Sequence, residues 1–227
     1  MMWEALPRRL FGIRQGTGSE NGSQTEFVRS IFDFTWDEKL EDRNWQRTAL
    51  SEVPELVHAK KWSEARSLIE VHRKNFTDFD FLYLWSATIM TDCGEIDAAR
   101  HEYELGVSAA KEKYSLCAGR AMLEFKHGTL RDAAKWWIRS VVLQIRSGNV
   151  DEVESFLYLG YIAKAIGDEK AASMLIDRAC RGSYNAVDLS PQGQREVFGK
   201  VTAAQDHQIP MAIATLMGTE WMHRSRR

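Results

Sequence analysis

Proline is scarce in this chain, with four in 227 residues. That leaves long stretches free to be helical, because a proline inside a helix removes a donor and clashes with the preceding turn. Cysteine is scarcer still. Cys93, Cys117 and Cys180 are an odd, scattered set without a CxxC pair, which argues against a disulfide framework and for a reducing, cytoplasmic location. An excess of either charge is also missing: the formal net charge is −2, so no basic field draws the chain toward a phosphate backbone or an anionic membrane. No run approaches the ~20 apolar residues of a membrane span, and no transmembrane segment is expected. Met1 to Phe11 include Pro7, Arg8 and Arg9 and lack the unbroken apolar stretch of a secretory signal.

The composition otherwise suits a folded helical chain. Residues 12–24 are rich in Gly, Ser, Thr, Asn and Gln, too polar to offset the entropy of ordering, so residues 1–24 are expected to form a flexible N-terminal segment. From Glu26 the pattern turns helical, with Phe27, Ile31 and Phe34 at spacings of three and four. Thr35-Trp36-Asp37-Glu38 reads as a capping box opening a helix over 36–50. Residues 25–50 are thus expected to be helices packing on the rest of the chain. Ser51 as an N-cap places Pro54 in a first helical turn, where its missing N–H matters little.

A repeat is the strongest signal. The stretches AKKWSEARSLI, CGEIDAARHEY and HGTLRDAAKWW place Ala65, Ala99 and Ala133 at equal intervals. The interval is about 34 residues, the period of a helix-turn-helix array. A fourth stretch, IGDEKAASMLI, places Ala172 slightly further on, the extra length fitting a loop near Ser147-Gly148-Asn149. The pattern resembles the tetratricopeptide family. In the fourth unit it is carried by Phe156, Leu159, Gly160, Gly167, Ala172, Ile176 and Ala179, and in the second by Tyr83, Ala87, Met90, Gly94, Ala99, Tyr103 and Gly106. The third has Ala121, Gly128, Ala133 and Trp137; the first has Lys60 at the glycine position, and no unit has the family's terminal proline.

The resemblance implies an all-α fold over residues 51–186: a right-handed superhelical array of about four antiparallel helix pairs nested through small residues. Residues 187–227 supply capping helices and a short basic tail. Ser190-Pro191 and Ile209-Pro210 mark their starts, with Ile213, Leu216, Met217 and Trp221 on one face of the second. The other use of those last helices is a homo-oligomer interface.

Chemistry finds little footing. His101-Glu102 begins like a zinc-protease motif, but Leu105 stands where the second histidine belongs. His58, Cys93 and His127 fall near matching ends of successive first helices, about 10 Å apart by helix packing, too far for one metal at ~2.0–2.3 Å. With neither a GxSxG elbow nor a phosphate loop, no metal, cofactor, small-molecule substrate or enzymatic activity is expected.

The remaining candidate is a surface for a protein or peptide partner. The resemblance implies a concave groove lined by the first helix of each pair: Phe81, Leu84, Trp85 and Thr88, then Met122, Phe125 and Lys126, then Tyr158, Tyr161 and Lys164. Aromatic anchors with cationic edges suit an extended peptide or an amphipathic helix. Thr88 and Met122 stand where family members that clamp a C-terminal carboxylate have asparagine, so chaperone-tail binding is not implied. The competing use of these aromatics is internal packing, with the C-terminal helices or residues 1–11 filling the groove. The reading is an adaptor, scaffold or chaperone; the alternative is a helical-repeat nucleic-acid-binding or regulatory protein.

Overall fold

A computed structural model describes residues 20–32, 51–147, 153–182 and 188–219. Among them the chain is helical without strands, in eleven helices: α1 (Glu20–Phe32), α2 (Glu52–His58), α3 (Trp62–Arg73), α4 (Asp80–Asp92), α5 (Ile96–Ala109), α6 (Tyr114–His127), α7 (Leu130–Ser147), α8 (Val153–Ala165), α9 (Glu169–Gly182), α10 (Pro191–Ala204) and α11 (Gln208–Met217). None is long and apolar enough to cross a membrane. The expected segment 1–19, the capping box and helix at 35–50, the loop at 148–150 and the basic tail lie outside the described residues. Helix α1 opens at Glu20, so residues 20–24 are helical where the sequence predicts linker.

The pairs are α2 with α3, α4 with α5, α6 with α7 and α8 with α9; each packs on the next in chain order. The repeat alanines lie where two helix axes must approach. Ala65, Ala99 and Ala133 are fully buried and Ala172 is 2% exposed. Glycine does the same at two crossings: a Cβ on Gly106 would stand 2.6 Å from Tyr83 Cβ, and one on Gly160 would stand 2.7 Å from Ile176 Cγ1. No side chain fits at that separation without pushing a pair apart.

Three of the four intra-pair turns end in one backbone motif. Lys60, Gly94 and Gly167 all have positive φ, at 57°, 79° and 85°. The residue after each donates its N–H five residues back, Lys61 to Leu56, Glu95 to Met90 and Asp168 to Ala163, at 2.8–2.9 Å. This is the left-handed helix ending that glycine adopts without steric cost and lysine does not. Lys60→Gly is therefore expected to raise unfolding stability by about 1 kcal/mol, read as a higher denaturant midpoint at unchanged slope; a lower midpoint would refute it. Gly128 breaks the pattern, with φ −128°. Its lack of a side chain makes room instead for the Glu124 carboxylate, which a Cβ there would overlap.

Helices α10 and α11, expected from the sequence to cap the final repeat, pack on the last two pairs. Helix α10 lies along α8 and touches α7; α11 packs on α7 and on α1, with lesser contact to α8 and α9. Helix α1, in a stretch expected to pack on the rest of the chain, sits against α7 and α11. The cause is α7, in which eleven of eighteen residues are buried, Trp136, Trp137, Ile138, Val141, Val142 and Leu143 among them. A helix apolar on most of its circumference needs cover on every side. Helix α1 supplies Val28 and Ile31, and α11 supplies Ile209, Ala212, Ile213 and Leu216. Arg139 of α7 fastens α1 by donating from Nη2 to the Ser30 carbonyl at 2.6 Å and from Nε to the Ile31 carbonyl at 3.1 Å, a cation on a helix C-terminus.

Candidate functional site

The first helices of the pairs are α2, α4, α6 and α8. Along them the aromatic residues divide into two groups with different surroundings.

At the N-terminal end, Phe81 and Trp85 of α4 are half-buried and pack on the cluster around Val53, Val57, Ile69, Phe79 and Leu82. Phe81 stacks on Phe79 with centroids 5.5 Å apart, and Trp85 meets exposed His58 edge-on at 6.3 Å. Leu84 points between pairs, where its Cδ1 would stand 2.9 Å from a Cβ on Gly119. Thr88 is turned inward: its hydroxyl donates to the Leu84 carbonyl at 2.8 Å and shares a side-chain hydrogen bond with Tyr103. Burial pushes the Tyr103 phenol up to about 12.

At the C-terminal end the aromatic residues are largely enclosed. Phe125 is 2% and Tyr161 5% exposed. Phe125, Trp137 and half-buried Tyr158 form a three-ring stack, Trp137 and Tyr158 nearly parallel at 4.5 Å and Phe125 tilted against both at 5.4 and 5.3 Å. Aromatic pairs favour such offset and tilted contacts. Helix α10 lies over them: Lys200 Nζ is 4.9 Å from the Phe125 ring centre, and Val197 is fully buried. The Tyr161 hydroxyl donates to Asp188 at 2.7 Å. Met122 is half-buried against the same core. Lys126 and Lys164 are exposed, Lys164 Nζ lying 5.8 Å from the Tyr161 ring centre.

The structure thus brings the ten residues onto one series of helices but divides them. Phe81 and Trp85 form one half-buried patch; Phe125, Tyr158 and Tyr161 form another, under α10; Leu84 and Thr88 serve packing between helices.

Sequence reasoning missed the arginines that join the pairs. Arg66 and Arg100 stand one repeat period apart, each directly after a repeat alanine, and that spacing was the available signal. Arg66 donates to Glu95 at 2.7 Å. Arg100 donates from Nε and Nη2 to the two oxygens of buried Glu124, at 3.0 and 3.1 Å. Glu124 also pairs with buried Arg120 at 2.9 Å, and desolvation lowers the Arg120 pKa below its usual value. Arg73 pairs with buried Glu102. Each pairing spans two helices, or joins two turns of α6, and Arg66, Arg73 and Arg100 each reach from one pair into the next.

Elsewhere, a half-open cavity of about 310 Å³ lies where Leu130 and Ile166 meet Val201, Ala204 and Ile209. Its wall is mostly apolar, and Asp206 there is paired with Arg131. Burial pushes the Cys117 thiol up to about 12, leaving it protonated at neutral pH and poor as a nucleophile. Among the described residues no three His, Cys, Asp or Glu side chains gather as metal ligands. No protein-family model, curated protein or solved structure matches the chain.

Proposed function

We propose that this protein is a cytoplasmic, non-catalytic helical-repeat module of tetratricopeptide type, an adaptor, scaffold or chaperone. Its pairs curve in a right-handed superhelix and hold a peptide or helix of a partner protein along their first helices. The observation that carries the reading is the half-buried pair Phe81 and Trp85 beside exposed His58, on neighbouring first helices. Rings that are partly covered and held by their neighbours offer large contact area with little torsional freedom left to lose. The regular repeat spacing, the buried alanines and the recurrent left-handed turns support the same architecture. Nucleic acid gains no support: Arg66, Arg73 and Arg100 are matched by carboxylates of the next pair and Arg120 by Glu124 on its own helix, rather than aligned on an open face.

The test begins with peptides selected from a displayed random library on the immobilised protein. Trp85→Ala and Phe81→Ala are each expected to weaken the selected peptides at least tenfold, about 1.4 kcal/mol, while the far-ultraviolet helical signal stays unchanged. Undiminished binding by both variants would overturn the reading.

A further inference from the structure

Helix α10 has the construction of a ligand. Its start is organised by its own residues: Ser190 Oγ accepts from Gly193 N at 3.1 Å, Pro191 occupies the first helical position, and Gln194 Nε2 donates to the Leu189 carbonyl at 2.8 Å. Val197 is buried and Gln194, Lys200 and Val201 are half-buried where α10 packs along α8 and touches α7, whereas Arg195, Phe198 and Thr202 are exposed. That is the i, i+3, i+6, i+7 row by which an amphipathic helix lies in a groove. It is also thinly held. Val197 is the one buried residue described in α10, whereas α11 buries Ile209, Ala212, Ile213 and Leu216. The link between the two helices passes through Gln205 at φ 44°, a conformation unfavourable to a residue with a side chain. Beneath α10 lie rings suited to a cation, with the Lys200 ammonium on Phe125.

We propose that the face formed by Phe125, Tyr158 and Tyr161 is a receptor for an amphipathic helix of a partner protein, and that α10 is its built-in occupant. The proposal rests on the groove reading above and narrows the partner. Such a helix carries an apolar residue, a lysine three positions on and a second apolar residue four positions on, as Val197, Lys200 and Val201 do. A tethered helix competes at an effective concentration on the order of millimolar. A partner therefore displaces α10 only when its anchors are larger than Val197 and Val201. The receptor discriminates accordingly: weakly apolar helices are excluded by the chain itself.

The probe is a fluorescent peptide of residues 188–205 with Val197→Leu and Val201→Leu, titrated into the full chain and into its Val197→Asp variant. Binding to the variant is expected to be at least tenfold tighter than to the unaltered chain, and Lys200→Glu in the peptide is expected to remove at least tenfold of it. Equal affinity for both chains, or no binding to a variant that keeps its helical signal, overturns the proposal. Hydrogen exchange on the unaltered chain decides the matter even where the variant fails to fold. The amides of α10 are expected to exchange at least tenfold faster than those of α8 and α11, and equal protection would show α10 to be a fixed wall. That last result leaves Phe81 and Trp85 untouched, whereas failure of those two substitutions with fast exchange in α10 overturns only the earlier reading.

Discussion

Trp137→Ala is expected to lower the free energy of unfolding by about 3–5 kcal/mol, Trp137 being the largest fully buried side chain among the described residues. Trp137 is fully buried, in contact with Phe125 and Tyr158 at once. Truncation removes its burial and also leaves a space that helices locked by Ala133, Gly160 and Ala172 cannot close. The indole Nε1 meets no hydrogen-bond partner among the described residues, so Trp137→Phe forfeits volume without breaking a polar contact to them and is expected to cost much less. Equilibrium denaturation of the three chains tests both statements. A loss below about 1 kcal/mol for alanine, or equal losses for alanine and phenylalanine, would show that the stack is not a principal support. Total stability for a domain is typically about 5–15 kcal/mol, so the alanine variant should lose a large fraction of it.

Glu124→Ala should be nearly as damaging, for a different reason. The carboxylate is 4% exposed and receives Arg100 and Arg120, the latter only 8% exposed. Removing it strands a buried guanidinium whose other carboxylate, Glu104 at 3.5 Å, is 57% exposed. Breaking one side of a buried ion pair costs about 3–5 kcal/mol. Adding Arg120→Leu to Glu124→Ala removes the stranded charge and is expected to recover most of the loss. A double variant no more stable than Glu124→Ala alone would refute the argument. Gly128→Ala acts on the same site by crowding the carboxylate and should reproduce part of the effect without touching a charge.

The two ends of the aromatic series show how far residue patterns reach. Interval and residue size alone were enough to place the helices and the buried alanines, because close helix crossings demand small side chains wherever they recur. The turn at Lys60 was legible as a position, though not as a lysine held in a glycine conformation. Gly128 was misleading for the same reason: a glycine in the expected place serves a carboxylate that only the fold brings near. Ser190 and Pro191 were legible because a helix start is a local arrangement.

Patterns of residues along this chain settled its helical class, its repeat interval, the small residues at its crossings and the start of α10, all of which depend on contacts within one pair or one turn. They could not settle which aromatics stay at the surface. Phe81 and Phe125 both lie on the first helix of a pair, yet Phe125 lies under α10, a helix that begins two pairs further along the chain. Which aromatics are covered depends on where distant helices find room, and α7, buried over most of its circumference, draws α1 and α11 onto itself while α10 settles along α8. That choice is made by the summed burial of the whole chain and has no signature in a local stretch of it.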